Sequence, residues 1–267
     1  MNTIINSVLI LGGISLVLGC IIIIALRKYS FPTDPRQNKI QELLPGSNCG
    51  ACSFNGCNEY AEAMVMIGAE PGLCCVIDDD TAKKIGGILG REAHLKEKQV
   101  ACVLCQGENS ELKYKYSGTE ECLAASIVSG GFRSCENACL GFGDCASACS
   151  FSAISWQKGQ IPEIIAEKCN ACGKCLKVCP VNIIRLIPRS AGIYVKCNVQ
   201  NKGLTIKKMC TVGCFTCGDC VKTCPEKAIT IVNELAKIDY SKCTNCGICV
   251  DNCPAGAIVR TIVKPIE

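Results

Sequence analysis

Cysteines recur along this chain at a spacing that suits one kind of chemistry. Cys243, Cys246, Cys249 and Cys253 make a C-x-x-C-x-x-C-x-x-x-C run closed by Pro254; Cys214, Cys217, Cys220 and Cys224 repeat it before Pro225, and Cys169, Cys172, Cys175 and Cys179 before Pro180. Two-residue gaps let three thiolates of one loop converge on the corners of a cube, and soft sulfur donors match delocalised iron. Each run is therefore expected to help hold a 4Fe-4S cluster. The fourth cysteine, turned away by its proline, reaches the neighbouring cluster, as in two-cluster ferredoxins. Crossed ligation then groups Cys214, Cys217 and Cys220 with Cys253, and Cys224 with Cys243, Cys246 and Cys249.

Two other uses of cysteine compete with this one. A disulfide framework belongs to small secreted domains, and an odd total of 27 cysteines in triplet spacing argues against it. A zinc-stabilised scaffold is the stronger rival, but structural zinc takes two pairs of ligands rather than a triplet plus one. The single histidine, His94, stands apart from every cysteine run.

The chain repeats itself. Cys210, Cys214, Cys217, Cys220 and Cys224, followed by Ala228-Ile229, match Cys135, Cys139, Cys145 and Cys149, followed by Ala153-Ile154, with Phe142 standing where Cys217 stands. Glu167-Lys168-Cys169 parallels Ser241-Lys242-Cys243, and Val100-Ala101-Cys102 resembles Val195-Lys196-Cys197. The repeat predicts two tandem two-cluster modules of short strands and helices, an α+β fold. In the earlier module Cys149, Cys169, Cys172 and Cys175 form one set. The other holds Cys139, Cys145 and Cys179, with Cys135 as the nearest substitute for the cysteine missing at Phe142. Cys102, Cys105 and Cys122 make a further irregular group, able to complete a sixth cluster with Cys197 or Cys210, or to be inert thiols.

Upstream, Gly46-Ser-Asn-Cys49-Gly-Ala-Cys52-Ser-Phe-Asn-Gly-Cys57 reads as another cluster loop. A helix after Asn58 returns the chain to a fourth ligand, Cys74 or Cys75, with Cys74 preferred. Five clusters are expected from these sets.

These loops need a support. Ile4 to Leu26 carries no charge and as a helix would be about 34 Å long, against roughly 30 Å of bilayer core. Arg27 and Lys28 follow it and no basic residue precedes it, which predicts an uncleaved single span with the N-terminus outside and the rest in the cytoplasm. Phe31 to Pro45 reads as a linker ending at a short helix. The net charge of +4 includes no long basic run, which disfavours nucleic acid as a partner. No G-x-G-x-x-G follows a strand, and no nucleophile–base constellation accompanies the cysteines, so neither nucleotide binding nor catalysis in the narrow sense is expected of this chain alone.

One membrane helix, a G-x-x-C-G-x-C-x-x-x-G-C unit and tandem ferredoxin modules, in that order, resemble the B subunit of the Rnf complex in its long form. That complex is a membrane-bound ferredoxin:NAD oxidoreductase coupled to sodium or proton transport. The resemblance implies an anchor over residues 1–28, a linker over 29–45, a 4Fe-4S domain over 46–90, and ferredoxin-like modules over 91–190 and 191–267. It also implies that soluble ferredoxin donates electrons, which pass through the clusters toward integral membrane, flavin-carrying and NAD-binding subunits in the inner membrane. A membrane-anchored polyferredoxin serving another reductase or dehydrogenase is the alternative within the same chemistry.

Overall fold

The computed structural model describes residues 2–28, 34–93, 97–107, 110–201 and 203–260; His94 lies outside them. The first helix, α1 (Asn2–Lys28), is followed by α2 (Pro35–Leu43), α3 (Cys57–Met66), a 3-10 turn at Pro71–Leu73 and α4 (Asp79–Leu89). Every large apolar side chain described on α1 from Ile5 to Ile24 is more than half exposed, so this helix has no core of its own to enter. Among the described residues no helix is long and apolar enough to cross a membrane. The continuous run of described side chains on α1, Val8 to Ile24, makes about 25 Å of helix at 1.5 Å per residue.

Helices α2 to α4 enclose a small core of Ile40, Leu44, Tyr60, Met64, Ile77 and Ile85, with Cys74 at its edge. Proline at the first position starts α2 where its missing N–H costs nothing. The segment read as a linker, 29–45, holds α2, which packs into the cluster unit through Ile40. Asp78 caps α4 by accepting the Thr81 N–H at 2.8 Å, and Gly90 ends it in the left-handed region.

Two modules follow. In the first, β1 (Gln99–Val103) runs antiparallel to β4 (Ile184–Pro188), and the connection between them holds α5 (Cys122–Ile127), α6 (Asp144–Ser147), the paired β2 (Ile154–Ser155) and β3 (Glu163–Ile164), and α7 (Lys174–Val178). The second repeats the plan: β5 (Ile193–Val195) pairs with β8 (Ile258–Arg260), enclosing α8 (Gly203–Met209), α9 (Asp219–Thr223), the hairpin of β6 (Ile229–Val232) and β7 (Leu235–Ile238), and α10 (Ile248–Asp251). An outer strand pair and an inner hairpin flanked by two one-turn helices make each an α+β unit.

Aromatic side chains are few, 5% of the chain, and sulfur takes a share of the core. Cys102, Cys105, Cys139, Cys145, Cys169 and Cys175 belong to the buried core of the first module, as Cys197, Cys220 and Cys249 do to that of the second.

Candidate metal centres

Each cysteine loop is shaped by two left-handed residues. Ala171 and Gly173 flank Cys172, Thr216 and Gly218 flank Cys217, and Asn245 and Gly247 flank Cys246, all with φ between 52° and 84°. The glycine then opens a one-turn helix, α7, α9 or α10, that carries the third cysteine inward. Three residues beyond the fourth cysteine another left-handed residue turns the chain. The next N–H then donates back to sulfur: Ala153 to Cys149 at 3.3 Å, Ala228 to Cys224 at 3.4 Å, Ala257 to Cys253 at 3.3 Å. Such donors favour the thiolate form of sulfur.

The folded chain gathers its thiols into six groups. Site 1 brings Cys74 beside Cys49 and Cys52, with Cys57 packed against the same core. Site 2 is a cavity lined by Cys149, Cys169, Cys172 and Cys175. Site 3 is lined by Cys122, Cys139, Cys145 and Cys179. Site 4 is lined by Cys105, Cys135, Cys197 and Cys210. Site 5 is lined by Cys214, Cys217, Cys220 and Cys253. In site 6 the Cys249 thiol is pushed up to about 11 by burial and by its neighbours Cys243, Cys246 and Cys224.

Site 3 departs from the expectation. Cys135 lines site 4 rather than site 3, and Cys122, at the start of α5 in the preceding insertion, lines site 3. The loop at Phe142 keeps the cluster-loop backbone, since Gly141 and Gly143 are left-handed at φ 75° and 80°. Gly143 has no room for more, because a Cβ there would run into the Trp156 ring. Phe142 turns its side chain onto Tyr116 and Phe132. The backbone N–H groups of Phe142 and Asp144 point at the Cys122 sulfur, and the Cys122 N–H in turn donates to Asp144 Oδ2 at 2.9 Å. A thiol from elsewhere thus stands beside the loop that has no cysteine at Phe142.

Site 4 is where the remaining thiols meet. Cys105 lies two residues beyond β1 and Cys197 two beyond β5, while Cys135 and Cys210 lie four residues before Cys139 and Cys214. The four are equivalent pairs from the two modules. Their hydrogen bonds repeat too: the Cys139 N–H donates to Cys105 Sγ, and the Cys214 N–H to Cys197 Sγ, both at 3.4 Å. Strand register therefore matches Cys197 with Cys105, and the alignment of Cys197 on Cys102 is corrected by three residues. Of the irregular trio, Cys105 joins site 4 and Cys122 site 3. Cys102 joins neither: it is buried on β1 opposite Arg185, its thiol pushed up to about 12 by burial. The signal that would have placed the trio was the repeat carried back to the strand ends.

Cys74 and Cys75 also part. Cys74 is buried beside Cys49 and Cys52, while Cys75 is exposed on a cleft and stands near Cys172 of site 2 as well as Cys49.

Neighbouring groups adjoin in series. Cys49 lies near Cys172, Cys145 near Cys175, Cys105 near Cys139, Cys197 near Cys214, and Cys220 near Cys249, each pair close enough for one thiolate to oppose the other's ionisation. Burial is the larger effect, holding Cys139 and Cys145 up at about 12 and Cys135, Cys175 and Cys220 at about 11. Ligation to a cationic centre would hold such thiols ionised at neutral pH.

Among the described residues no three His, Cys, Asp or Glu side chains stand where they could hold a single metal ion. Four cysteine thiols around a common space are the donor set that a 4Fe-4S cluster takes.

The comparisons with known proteins agree. Residues 134–183 and 213–257 match the family described as a 4Fe-4S dicluster domain, and residues 44–76 one described as a putative Fe-S cluster. Over 245 residues the chain is 40% identical to the B subunit of the Na(+)-translocating ferredoxin:NAD(+) oxidoreductase complex of Acetobacterium woodii, covering 91% of this chain and 74% of the relative. It is 38% identical to the B subunit of the ion-translocating oxidoreductase complex of Methanosarcina acetivorans, covering 91% and 93%. With the B subunit of the proton-translocating ferredoxin:NAD(+) oxidoreductase complex of Clostridium ljungdahlii it shares 35% identity, covering 91% and 87%.

Proposed function

The chain belongs to the B-subunit family of ion-translocating ferredoxin:NAD oxidoreductase (Rnf) complexes, and on that premise we propose that it conducts electrons through six 4Fe-4S clusters held at sites 1 to 6. One observation carries the reading: the thiol groups follow one another with a sulfur of each near a sulfur of the next, from Cys49 and Cys172 to Cys220 and Cys249.

The proposed ligand sets are Cys49, Cys52, Cys57 and Cys74; Cys149, Cys169, Cys172 and Cys175; Cys122, Cys139, Cys145 and Cys179; Cys105, Cys135, Cys197 and Cys210; Cys214, Cys217, Cys220 and Cys253; and Cys224, Cys243, Cys246 and Cys249. The clusters, when bound, supply the one-electron redox change. The protein's own part is to fix the sulfurs, aim N–H donors at them and keep water from the buried faces, the levers by which a protein sets cluster potentials. No proton need move, since the sulfurs stay ligated throughout. By itself the chain is an electron carrier; the complex to which it belongs is the enzyme.

Reduced ferredoxin serves as donor in this proposal, docking on the ferredoxin-like modules. Site 1 passes electrons on to the other subunits, including integral membrane, flavin-carrying and NAD-binding ones. Helix α1 is the anchor: an exposed apolar face with Arg27 and Lys28 at its end suits a single span with the N-terminus outside and the modules in the cytoplasm.

Iron and acid-labile sulfide, measured on anaerobically purified protein, test the proposal. Six four-iron clusters give about 24 iron atoms per chain. The result that overturns it is a colourless preparation, or one whose metal takes up no electrons from dithionite.

A further inference from the structure

Site 4 differs from its neighbours in the charge of its wall. Arg133 sends Nη1 to the Gly107 carbonyl at 2.6 Å and to Ser110 Oγ at 3.2 Å, and both of those residues line the cavity. The Gly107 N–H in turn donates to Cys105 Sγ at 3.3 Å, so one residue separates the guanidinium from a ligand sulfur. Arg133 Nε is buried and has no partner among the described residues, while the ring of Phe132 lies beneath the guanidinium at 5.8 Å. From the second module Lys196 lines the same cavity, and no carboxylate is among its described lining residues.

Neither neighbouring cavity has a lysine or arginine among its described lining residues. Asp144 lines site 3 and accepts the Cys122 N–H. Site 5 has no charged side chain in its described lining, and Asp219 opens α9 beside it.

Reduction adds one negative charge to a cluster that four thiolates already make anionic. A fixed cation favours the added charge and a fixed carboxylate opposes it, and in a partly buried site a unit charge several ångströms away shifts such an equilibrium by about tenfold. We propose that Arg133 makes site 4 an electron well at the junction of the two modules, reduced more readily than sites 3 and 5. An electron that leaves site 5 oxidises it by one and reduces site 4 by one, with no bond made or broken and no proton transferred. An electron shared among sites 3, 4 and 5 therefore rests at the junction of the modules. This inference rests on the reading that Cys105, Cys135, Cys197 and Cys210 hold a cluster.

The test is a dithionite titration of the anaerobically purified full-length protein followed by EPR. The site 4 signal is identified as the one that disappears in Cys197→Ser. That site is expected to be reduced before sites 3 and 5. Arg133→Gln should lower its reduction constant about tenfold, or about 59 mV for one electron, with iron content unchanged. Arg133→Lys should keep most of the wild-type value, and Asp144→Asn should make site 3 easier to reduce. A site 4 constant that moves less than about threefold in Arg133→Gln with iron retained overturns the proposal. So does a wild-type site 4 that is reduced after sites 3 and 5. Should Arg133→Gln lose iron, Arg133→Lys decides: site 4 must still be reduced ahead of its neighbours. If Cys197→Ser costs no iron, the cluster assignment at site 4 has failed instead, and the inference falls with it.

Discussion

The backbone N–H of Cys139 donates to the sulfur of Cys105 at 3.4 Å in a buried setting, so a residue that supplies its own sulfur to site 3 steadies a sulfur of site 4. The two sites are joined by backbone rather than by mobile side chains. Cys105→Ala would remove a site 4 ligand and leave that N–H without its acceptor, a cost of about 1–3 kcal/mol. We expect about four iron atoms to be lost, together with a changed EPR line shape at site 3. Loss of iron with no change at site 3 would mean the contact does not couple them.

At site 3 the fourth thiol and the loop corner come from different parts of the chain. Cys122→Ser should leave a three-thiol site and convert its cluster to a three-iron form, visible by EPR in the oxidised protein. Since the Phe142 loop already has the left-handed residues of a regular cluster loop, adding Phe142→Cys to Cys122→Ser should restore four-iron occupancy. Cys135→Ser should spare site 3 and damage site 4. The opposite result, iron lost from site 3, would return Cys135 to that set.

In the small unit near the anchor, Tyr60 holds the return of the chain to Cys74. Its hydroxyl donates to the Glu70 carbonyl at 2.6 Å and accepts the Leu73 N–H at 3.3 Å. Burial raises the pKa of that hydroxyl, keeping it neutral and able to donate. Tyr60→Phe preserves the packing and leaves both partners unpaired. A loss of roughly 1–3 kcal/mol is expected, with faster loss of site 1 iron to a chelator. Chelation at the wild-type rate would count against this role.

Cys102 is the one thiol of the first module's core outside every ligand set. Its pKa is about 12 in the folded chain, because burial opposes the charge, against 9.0 for an ordinary thiol. The native state thus holds a proton that the unfolded state releases. The stability due to this thiol is fully present below pH 9 and is lost as pH rises toward 12. Two outcomes are expected: Cys102 resists alkylation at pH 8 until the protein is unfolded, and Cys102→Ala flattens the alkaline fall in stability. Rapid labelling of Cys102 in the folded protein would contradict its placement.

Removing residues 1–28 should release the remaining chain from membranes while preserving its iron content, because α1 shares no core with the modules. Carbonate extraction of the full chain and of the truncated one measures this. Full-length protein that washes off with carbonate would sink the anchor.

The sequence alone made the regular thiol sets legible. Cys214, Cys217 and Cys220 with Cys253, and Cys149 with Cys169, Cys172 and Cys175, line common cavities in the groupings that crossed ligation suggests. Those groupings depend on local loop geometry, which two-residue gaps and left-handed corners impose on any such segment. The α+β plan and the exposed apolar helix were legible for the same reason, since both follow from repeats and runs along the chain. Tertiary structure decided what spacing could not encode. Cys122 comes to line the cavity beside the Phe142 loop because α5 folds back from an insertion of irregular length. Cys135 leaves its expected partners because the two modules pack with their equivalent strand ends together, bringing Cys105, Cys135, Cys197 and Cys210 around one cavity. No gap length announces such a site: its ligands are far apart along the chain, and only the packing of one module on the other makes them neighbours.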